Sequence, residues 1–384
     1  GEAPVMVEPR SAAEVLKILS IARKCRLPIF IMGNGSNLLV SDEGVNAVVM
    51  RICGSMSGIK IRGTGRFAPA KIVTNDDLAK IVDTSDEWIR SRTGIVTRHI
   101  SDGEPSWYMG LQAARQALEA AGISGQQLGL IIDTTVTPDY VTPATACVIQ
   151  RELGAVNAMA FDVNSACTGF VCGVDMAARY LATDPELSYV LVVSNENLSR
   201  ITDFSDRSSC ILFGDGAGAC VLEKKQGLYS AYMMADGTGV TSLYANANRR
   251  LSLFSKGEHA VPEETDPQGD FLRQEGRAVY RFATEAMPRA VQQVLDKAGM
   301  TAAEIDLLIP HQANLRIIET AAKKLQFPME RIMVDLDKYG NTSSASIPIA
   351  LDEAVRSGRL NRGDRVCLVG FGAGLTMGAV LFEY

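Results

Sequence analysis

An apolar strand-like stretch that runs into a turn of small residues and straight on into a helical stretch occurs twice in this chain. That recurrence points to a layered α/β fold made of two similar halves. The first copy is Ala158 to Val163, then Asn164-Ser165-Ala166-Cys167-Thr168-Gly169 and a helix; the second is Gly340-Asn341-Thr342-Ser343-Ser344-Ala345 and a helix. A second echo pairs Phe213-Gly214-Asp215-Gly216-Ala217-Gly218 with Gly370-Phe371-Gly372-Ala373-Gly374, each read as preceding the last strand of its half. From Gly58 onward, apolar strands at Leu128 to Ile132, Ala158 to Val163, Tyr189 to Val193, Ala217 to Leu222, Ile305 to Ile309 and Arg365 to Val369 alternate with helical stretches. The helices are Tyr108 to Ala121, Gly169 to Thr183, Ala278 to Ala298, Asn314 to Leu325 and Ser346 to Ser357. A site between the halves is the natural consequence.

The first 57 residues differ in kind. Val15, Leu16, Leu19, Ile21 and Ala22 recur at helical spacing within 11–27, followed by an apolar run from Pro28 to Met32 and the turn Gly33-Asn34-Gly35-Ser36-Asn37. Leu38-Leu39-Val40, a turn at Asp42 to Gly44, and Ala47 to Ile52 complete an α/β piece. The join falls at Cys53-Gly54-Ser55-Met56-Ser57-Gly58, where Gly54-Ser55 before a methionine has the look of a joining scar. The expected divisions are 1–57, 58–228 and 229–384.

Composition narrows the function classes. A net charge of −6 with no basic tract gives no reason to expect nucleic acid or an anionic membrane as partner. The 8 cysteines form no C-x-x-C pair and only 3 histidines are present, so no metal site is expected. Scattered cysteines in apolar stretches fit reduced thiols. No stretch reaches the roughly 20 apolar residues of a membrane helix, and the N-terminus lacks the order of a signal peptide, so a soluble cytoplasmic protein is expected.

Three residues carry the chemistry. Cys167 stands at the start of a helix, flanked by Ala166 and Gly169, which leave room for an incoming group. Unpaired N–H groups and the helix dipole there are expected to favour the thiolate and lower the thiol pKa. His311, in Ile309-Pro310-His311-Gln312-Ala313-Asn314, follows a strand, where α/β enzymes place reactive groups. Asn341 sits in a turn where an asparagine also serves as an ordinary cap.

Together Asn164-Ser165-Ala166-Cys167-Thr168-Gly169-Phe170, His311-Gln312-Ala313-Asn314 and Gly340-Asn341-Thr342-Ser343-Ser344-Ala345-Ser346 resemble the 3-oxoacyl-acyl carrier protein synthase III family over residues 58–384. Supporting runs are Thr84-Ser85-Asp86-Glu87-Trp88-Ile89, Arg92-Thr93-Gly94-Ile95, Thr142 to Cys147 and Leu212 to Ala219. The resemblance implies a thiolase-like duplicated α/β/α/β/α fold, a homodimer, and the initiating condensation of bacterial fatty-acid synthesis, with no cofactor required. Cys167 would take the acyl group of an acyl-CoA; malonyl-acyl carrier protein would lose CO2 and attack that thioester. His311 and Asn341 would donate hydrogen bonds to the malonyl thioester oxygen, and the backbone N–H groups of Cys167 and Ala373 would form an oxyanion hole. It also implies CoA binding by Trp88, Arg92, Arg207 and Asn314. Carrier-protein docking falls to Arg316, with Lys323 and Lys324 added as basic residues on the same helix.

Glu2 to Ile52 resembles the start of the FAD-binding domain of UDP-N-acetylenolpyruvoylglucosamine reductase, whose pyrophosphate loop looks like Gly33 to Val40. With the remainder of such a domain missing, the expectation is an appended fragment without FAD. Leu375 and Met377 depart from the aromatic residues common after the last Gly-rich turn, and Asn246 to Gln268 is longer and more polar than expected, which opens the acyl-chain preference. A degradative thiolase would carry a cysteine in Gly370 to Gly374, and an elongating condensing enzyme a second histidine in place of Asn341. A flavin-dependent oxidoreductase fusion and a secondary-metabolite condensing enzyme with the same triad remain as alternatives.

Overall fold

Gly63 and Gly65 alternate along one face of a strand, and a methyl group on either would lie 2.4 Å from the Ala117 carbonyl or 2.2 Å from that of Ala113. These glycines let a helix whose inner stripe is Ala113, Ala117 and Ala121 lie directly on the strand backbone. The computed structural model describes residues 5–7, 9, 12–32, 44, 46–51, 58–246 and 271–384. The chain forms two compact units, Gly1–Met56 and Ser57–Tyr384.

In the larger unit the main strands are β1 (Gly58–Phe67), β2 (Leu130–Thr134), β3 (Met159–Val163), β4 (Tyr189–Asn197), β5 (Asp215–Lys225), β6 (Tyr229–Ala235), β7 (Leu307–Pro310), β8 (Arg365–Gly372) and β9 (Thr376–Glu383). One sheet has the order β1-β5-β4-β2-β3, the other β6-β9-β8-β7. In each, an antiparallel trio (β1-β5-β4; β6-β9-β8) leads into a parallel neighbour (β2; β7). The second half also has a parallel bridge from Leu308 to Ile332 where the first places β3 beside β2. The duplication expected from the turns is therefore present in strand order and direction.

The main helices are α1 (Ser106–Ala121), α2 (Gly169–Thr183), α3 (Gly276–Ala298), α4 (Leu315–Leu325) and α5 (Ser346–Arg356). Helices α2 and α5 lie between the sheets, and their residues Phe170, Val174, Leu181, Ile347, Ala350 and Leu351 join both sheets in one core. Helix α1 covers the outer face of the first sheet, and α3 and α4 that of the second. The result is the five-layered α/β/α/β/α arrangement.

The Gly-rich echo holds in position: each run leads into the middle strand of its half's antiparallel trio, β5 after Phe213-Gly214 and β9 after Gly370 to Gly374. Gly214 immediately precedes β5, whereas Gly370 and Gly372 lie in the last turn-ward residues of β8. Each glycine answers a local crowding: a methyl at Gly218 would press within 2.8 Å of the Pro348 and Ile349 backbone, and one at Gly372 within 2.8 Å of Cys167 Cβ.

Among its described residues the smaller unit has a helix at Ala12–Cys25 and three parallel strands, with Val48–Arg51 between Val5–Val7 and Ile29–Met32. Of these described residues Leu16, Ile21, Met6 and Ile31 are exposed, while Ala22, Val48, Val49 and Met50 are buried. The turn and strand read at Gly33 to Val40 and the joining residues 52–57 lie outside the described residues, as do residues 247–268 of the polar stretch.

Candidate active site

The two small-residue turns meet within the larger unit. Ala166 and Ser343 both adopt positive φ, 45° and 50°, and each begins a single 3-10 turn that passes into α2 or α5. Such backbone costs on the order of 1 kcal/mol per residue, so surrounding packing must hold it. The side-chain oxygen of Asn164 accepts the Ala166 N–H at 3.3 Å, and that of Asn341 accepts the Ser343 N–H at 2.9 Å. The turns are thus copies of one another, with Cys167 seated in the first and its positional counterpart Ser344 in the second.

Cys167, His311 and Asn341 line one cavity of about 750 Å³, together with Trp88, Arg92, Asn314 and Ala373. The structure brings the expected triad together. The Cys167 thiol donates to Ser343 Oγ at 3.5 Å. Burial pushes that thiol up to about 12, the Glu196 charge adds to the rise, and the bond to Ser343 opposes it. The expected lowering by the helix N-terminus is corrected: in this enclosed pocket desolvation of the anion outweighs it.

His311 Nδ1 lies 2.7 Å from Ser346 Oγ, which also accepts the Gln312 N–H at 3.2 Å. The imidazole edge packs against Phe371, with ring centroids 5.2 Å apart. Complete burial brings its pKa down to about 3, so the ring is neutral at working pH. With Nδ1 engaged by Ser346, Nε2 is the nitrogen left for a ligand. The bond from the Ser343 N–H likewise fixes the Asn341 oxygen and leaves Nδ2 as the free end of the carboxamide.

Trp88 is flanked by two guanidinium groups, Arg92 at 4.7 Å and Arg207 at 4.8 Å from the ring centre. Arg207 also donates to the Asp83 carbonyl at 2.7 Å and lies outside the cavity lining. Asn314 caps α4 through the Arg316 N–H at 2.9 Å and donates to the Arg92 carbonyl at 3.1 Å. Its observed contacts are structural. Arg316, Lys323 and Lys324 are exposed on α4, and Lys324 pairs with Glu285. Leu375 and Met377 are buried and do not line the cavity, so their departure from the aromatic pattern falls on packing.

Glu196, Ser343 and Ser346 escaped the sequence reading. The signal was the polar run Ser194-Asn195-Glu196-Asn197 at the end of an otherwise apolar strand, all of it buried. Glu196 accepts from Ser344 Oγ at 2.6 Å, Thr137 Oγ1 at 2.9 Å, the Val136 N–H at 3.1 Å and Thr135 Oγ1 at 3.3 Å. Burial raises the pKa of this carboxyl group, and the bonds from Ser344, Val136 and Thr137 oppose the rise.

Because the folded His311 titrates below the ordinary value of about 6.5, the unfolded chain takes that proton first. The stability this residue contributes is therefore full above about pH 6.5 and is lost as pH falls toward 3. With 3 histidines in the chain, an NMR titration should show one ring that stays neutral down to about pH 4; a normal titration of His311 would refute the enclosed site.

The family profile described as 3-Oxoacyl-[acyl-carrier-protein (ACP)] synthase III matches residues 161–242, and its C-terminal counterpart residues 295–384. An FAD binding domain profile matches residues 3–86. Its last part overlaps β1, which pairs with β5 in the larger unit. The beta-ketoacyl-[acyl-carrier-protein] synthase III of Clostridium acetobutylicum is 43% identical over 331 residues, 86% of this chain and 99% of that protein. The crystal structure of 3-oxoacyl-[acyl-carrier-protein] synthase III from Aquifex aeolicus superposes with TM-score 0.78 at 42% identity, covering 85% of this chain and 100% of that one. A priming beta-ketosynthase from the R1128 polyketide biosynthetic pathway gives 0.77 at 35% identity, covering 85% of this chain and 96% of that one. With that agreement in sequence and in the folded halves, the chain belongs to the 3-oxoacyl-[acyl-carrier-protein] synthase III family of acyltransferases.

Proposed function

We propose that this protein carries out the initiating condensation of fatty-acid synthesis, an acyl-CoA starter joining malonyl-acyl carrier protein, and that Cys167, His311 and Asn341 perform it. Cys167 Sγ attacks the acyl-CoA carbonyl, the bond to the CoA sulfur breaks, and an acyl-cysteine thioester remains. The malonyl thioester then loses CO2, and its enolate carbon attacks the acyl carbonyl and displaces Sγ, giving 3-oxoacyl-carrier protein. The observation that carries this reading is the pinning of His311 by Ser346 and of Asn341 by the Ser343 N–H. Both fix a donor, Nε2–H and Nδ2–H, in the cavity that holds the sulfur, where a developing enolate oxygen needs two. The backbone N–H groups of Cys167 and Ala373 serve the tetrahedral oxyanion; contact between Gly372 and Cys167 supports their proximity.

Trp88, Arg92, Arg207 and Asn314 receive CoA in this reading. The adenine would replace one of the guanidinium groups now stacked on the indole. Arg316, Lys323 and Lys324 offer the acidic carrier protein a basic face. The halves divide at 58–228 and 229–384, between β5 and β6. The likeness to a polyketide-priming structure favours, as second reading, the same chemistry serving a secondary metabolite. A cytoplasmic setting fits the free thiols among the described residues.

Incubation with acyl-CoA should place the acyl mass on the Cys167 peptide, and Cys167→Ala should abolish it. His311→Ala should still acylate but decarboxylate malonyl groups about 10²–10³-fold more slowly; equal loss of both steps would refute the division of roles.

A homodimer fits β3, an edge strand on which Met159 is 61% exposed, with Val156 just before it 74% exposed. Sedimentation equilibrium should give twice the chain mass, and a monomer would refute it. Residues 1–57 take no part in the condensation and carry no FAD in this reading; purified protein showing a stoichiometric flavin absorbance band would overturn that.

A further inference from the structure

One of the largest side chains removed from water in this protein is a charged one. Arg98, in the short strand Thr97–His99, is 1% exposed; among the described residues it has no carboxylate partner, and its Nε has no hydrogen-bond partner. Burial brings its pKa down to about 10, so it is a cation at neutral pH. A methionine would fill the same space without the desolvation that a guanidinium suffers, so packing alone does not explain the residue. Its bonds run to the backbone and to one amide. Nη2 donates to the Ile211 carbonyl at 2.8 Å, and Nη1 donates to Asn75 Oδ1 at 2.9 Å and to the Val73 carbonyl at 3.4 Å. Ile211 begins the segment that carries Asn341. The Leu212 carbonyl accepts the Asn341 N–H at 2.9 Å, and the Gly214 N–H donates to the Asn341 carbonyl at 3.0 Å, a parallel bridge opposite Phe213. The Arg98 stem fills the angle between the bridged segments: a methyl on Gly214 would come within 3.1 Å of Arg98 Cβ, and one on Gly340 within 3.3 Å. Beside it the Val96 N–H donates to the Asp337 carbonyl at 3.0 Å and Thr97 Oγ1 to that of Lys338 at 3.0 Å, so residues 96–98 run along the stretch that leads to Asn341.

We propose that Arg98 is a positioning residue for the carbanion-forming half of the reaction, resting on the role given above to Asn341: by holding the Ile211 carbonyl it sets the 211–214 segment, and with it the place of the Asn341 carboxamide. Arg98 does not line the cavity, so it reaches the chemistry only through that segment. Nδ2 of Asn341 is the end left to meet the malonyl thioester oxygen, and a displacement of about 1 Å in such a donor is enough to lose most of its effect. The other two members of the triad hang from other elements: the His311 N–H donates to the Val369 carbonyl at 2.8 Å, and Cys167 sits in the turn that opens α2. At the far end of the guanidinium, Asn75 keeps its own bonds to the Ile95 carbonyl at 2.9 Å and to Asp86 at 2.8 Å. The helix Asp86–Thr93, which bears Trp88 and Arg92, is therefore held without Arg98. Loss of the guanidinium donors thus bears on one of the two chemical steps and spares the other.

The test compares two partial reactions in Arg98→Met, which keeps the bulk and removes every donor. One is transfer of an acyl group from acyl-CoA to Cys167, followed by mass spectrometry of that peptide; the other is release of CO2 from malonyl-acyl carrier protein. Transfer should stay within about threefold of wild type, while kcat for decarboxylation falls about tenfold to a hundredfold at unchanged KM. Because Arg98 acts through Asn341, adding Arg98→Met to Asn341→Ala should slow decarboxylation by less than about twofold more. Equal loss in the two partial reactions, or a loss of the original size that persists on top of Asn341→Ala, overturns the positioning role and leaves Arg98 as a support of the fold alone. Undiminished decarboxylation in Arg98→Met overturns it too. Should Arg98→Met not fold, Arg98→Lys, which keeps the cation with fewer donors, decides by the same split; if neither folds, the residue serves the fold and the proposal falls. Decarboxylation untouched by Asn341→Ala would sink the proposed role of the triad and this inference with it, whereas a slowed Asn341→Ala beside an unaffected Arg98→Met would sink this inference alone.

Discussion

The contact between Cys167 Sγ and Ser343 Oγ is where the two halves of the larger unit touch most consequentially. Each partner belongs to a turn that opens a central helix, and each turn begins with a non-glycine residue at positive φ. Neither conformation is favourable by itself. They persist because α2 and α5 are wedged between two sheets whose inward side chains form one continuous core. The site is thus a by-product of how the layers close: relieving either turn would require moving a helix that both sheets hold.

Burial sets the protonation pattern of the site. The same enclosure that keeps His311 neutral, and so able to donate from Nε2, keeps Cys167 protonated. A helix N-terminus stabilises an anion within its first turn by a modest amount, at most about 2 kcal/mol. Full removal from water costs a thiolate more than that. The reasoning that located Cys167 was sound in geometry and wrong in sign on its pKa, because depth in the molecule is not written in the local motif.

Most of the central architecture was legible. The helix from Gly169 to Thr183 has the bounds read from the sequence, and α5 ends within one residue of them, because small-residue starts and apolar periodicity mark both. Strands β1 and β6 were not singled out, and β9 was read only as the strand after Gly370 to Gly374, without bounds. β1 alternates buried Ile59 and Ile61 with Lys60 and Arg62 but continues as Gly63-Thr64-Gly65-Arg66, so its apolar alternation is only two residues long. The Gly-rich runs do sit alike, ahead of β5 and β9, although single glycines in them meet different neighbours, Pro348 at Gly218 and Cys167 at Gly372. The triad was visible because each member sits in a motif. Glu196 and Ser346 act through partners distant in the chain, and pairings of that kind appear only once the sheets are assembled.

The matched turns have one more implication. Asn164 and Asn341 hold the same bond in each half, so a small molecule lying between them meets two seats of one shape. Only one seat carries sulfur, while its twin position carries Ser344, turned away to the Glu196 carboxyl. The unequal furnishing of equal seats gives the site a direction: the nucleophile comes from one half alone, while the other half lends its turn to fix the Asn341 carboxamide.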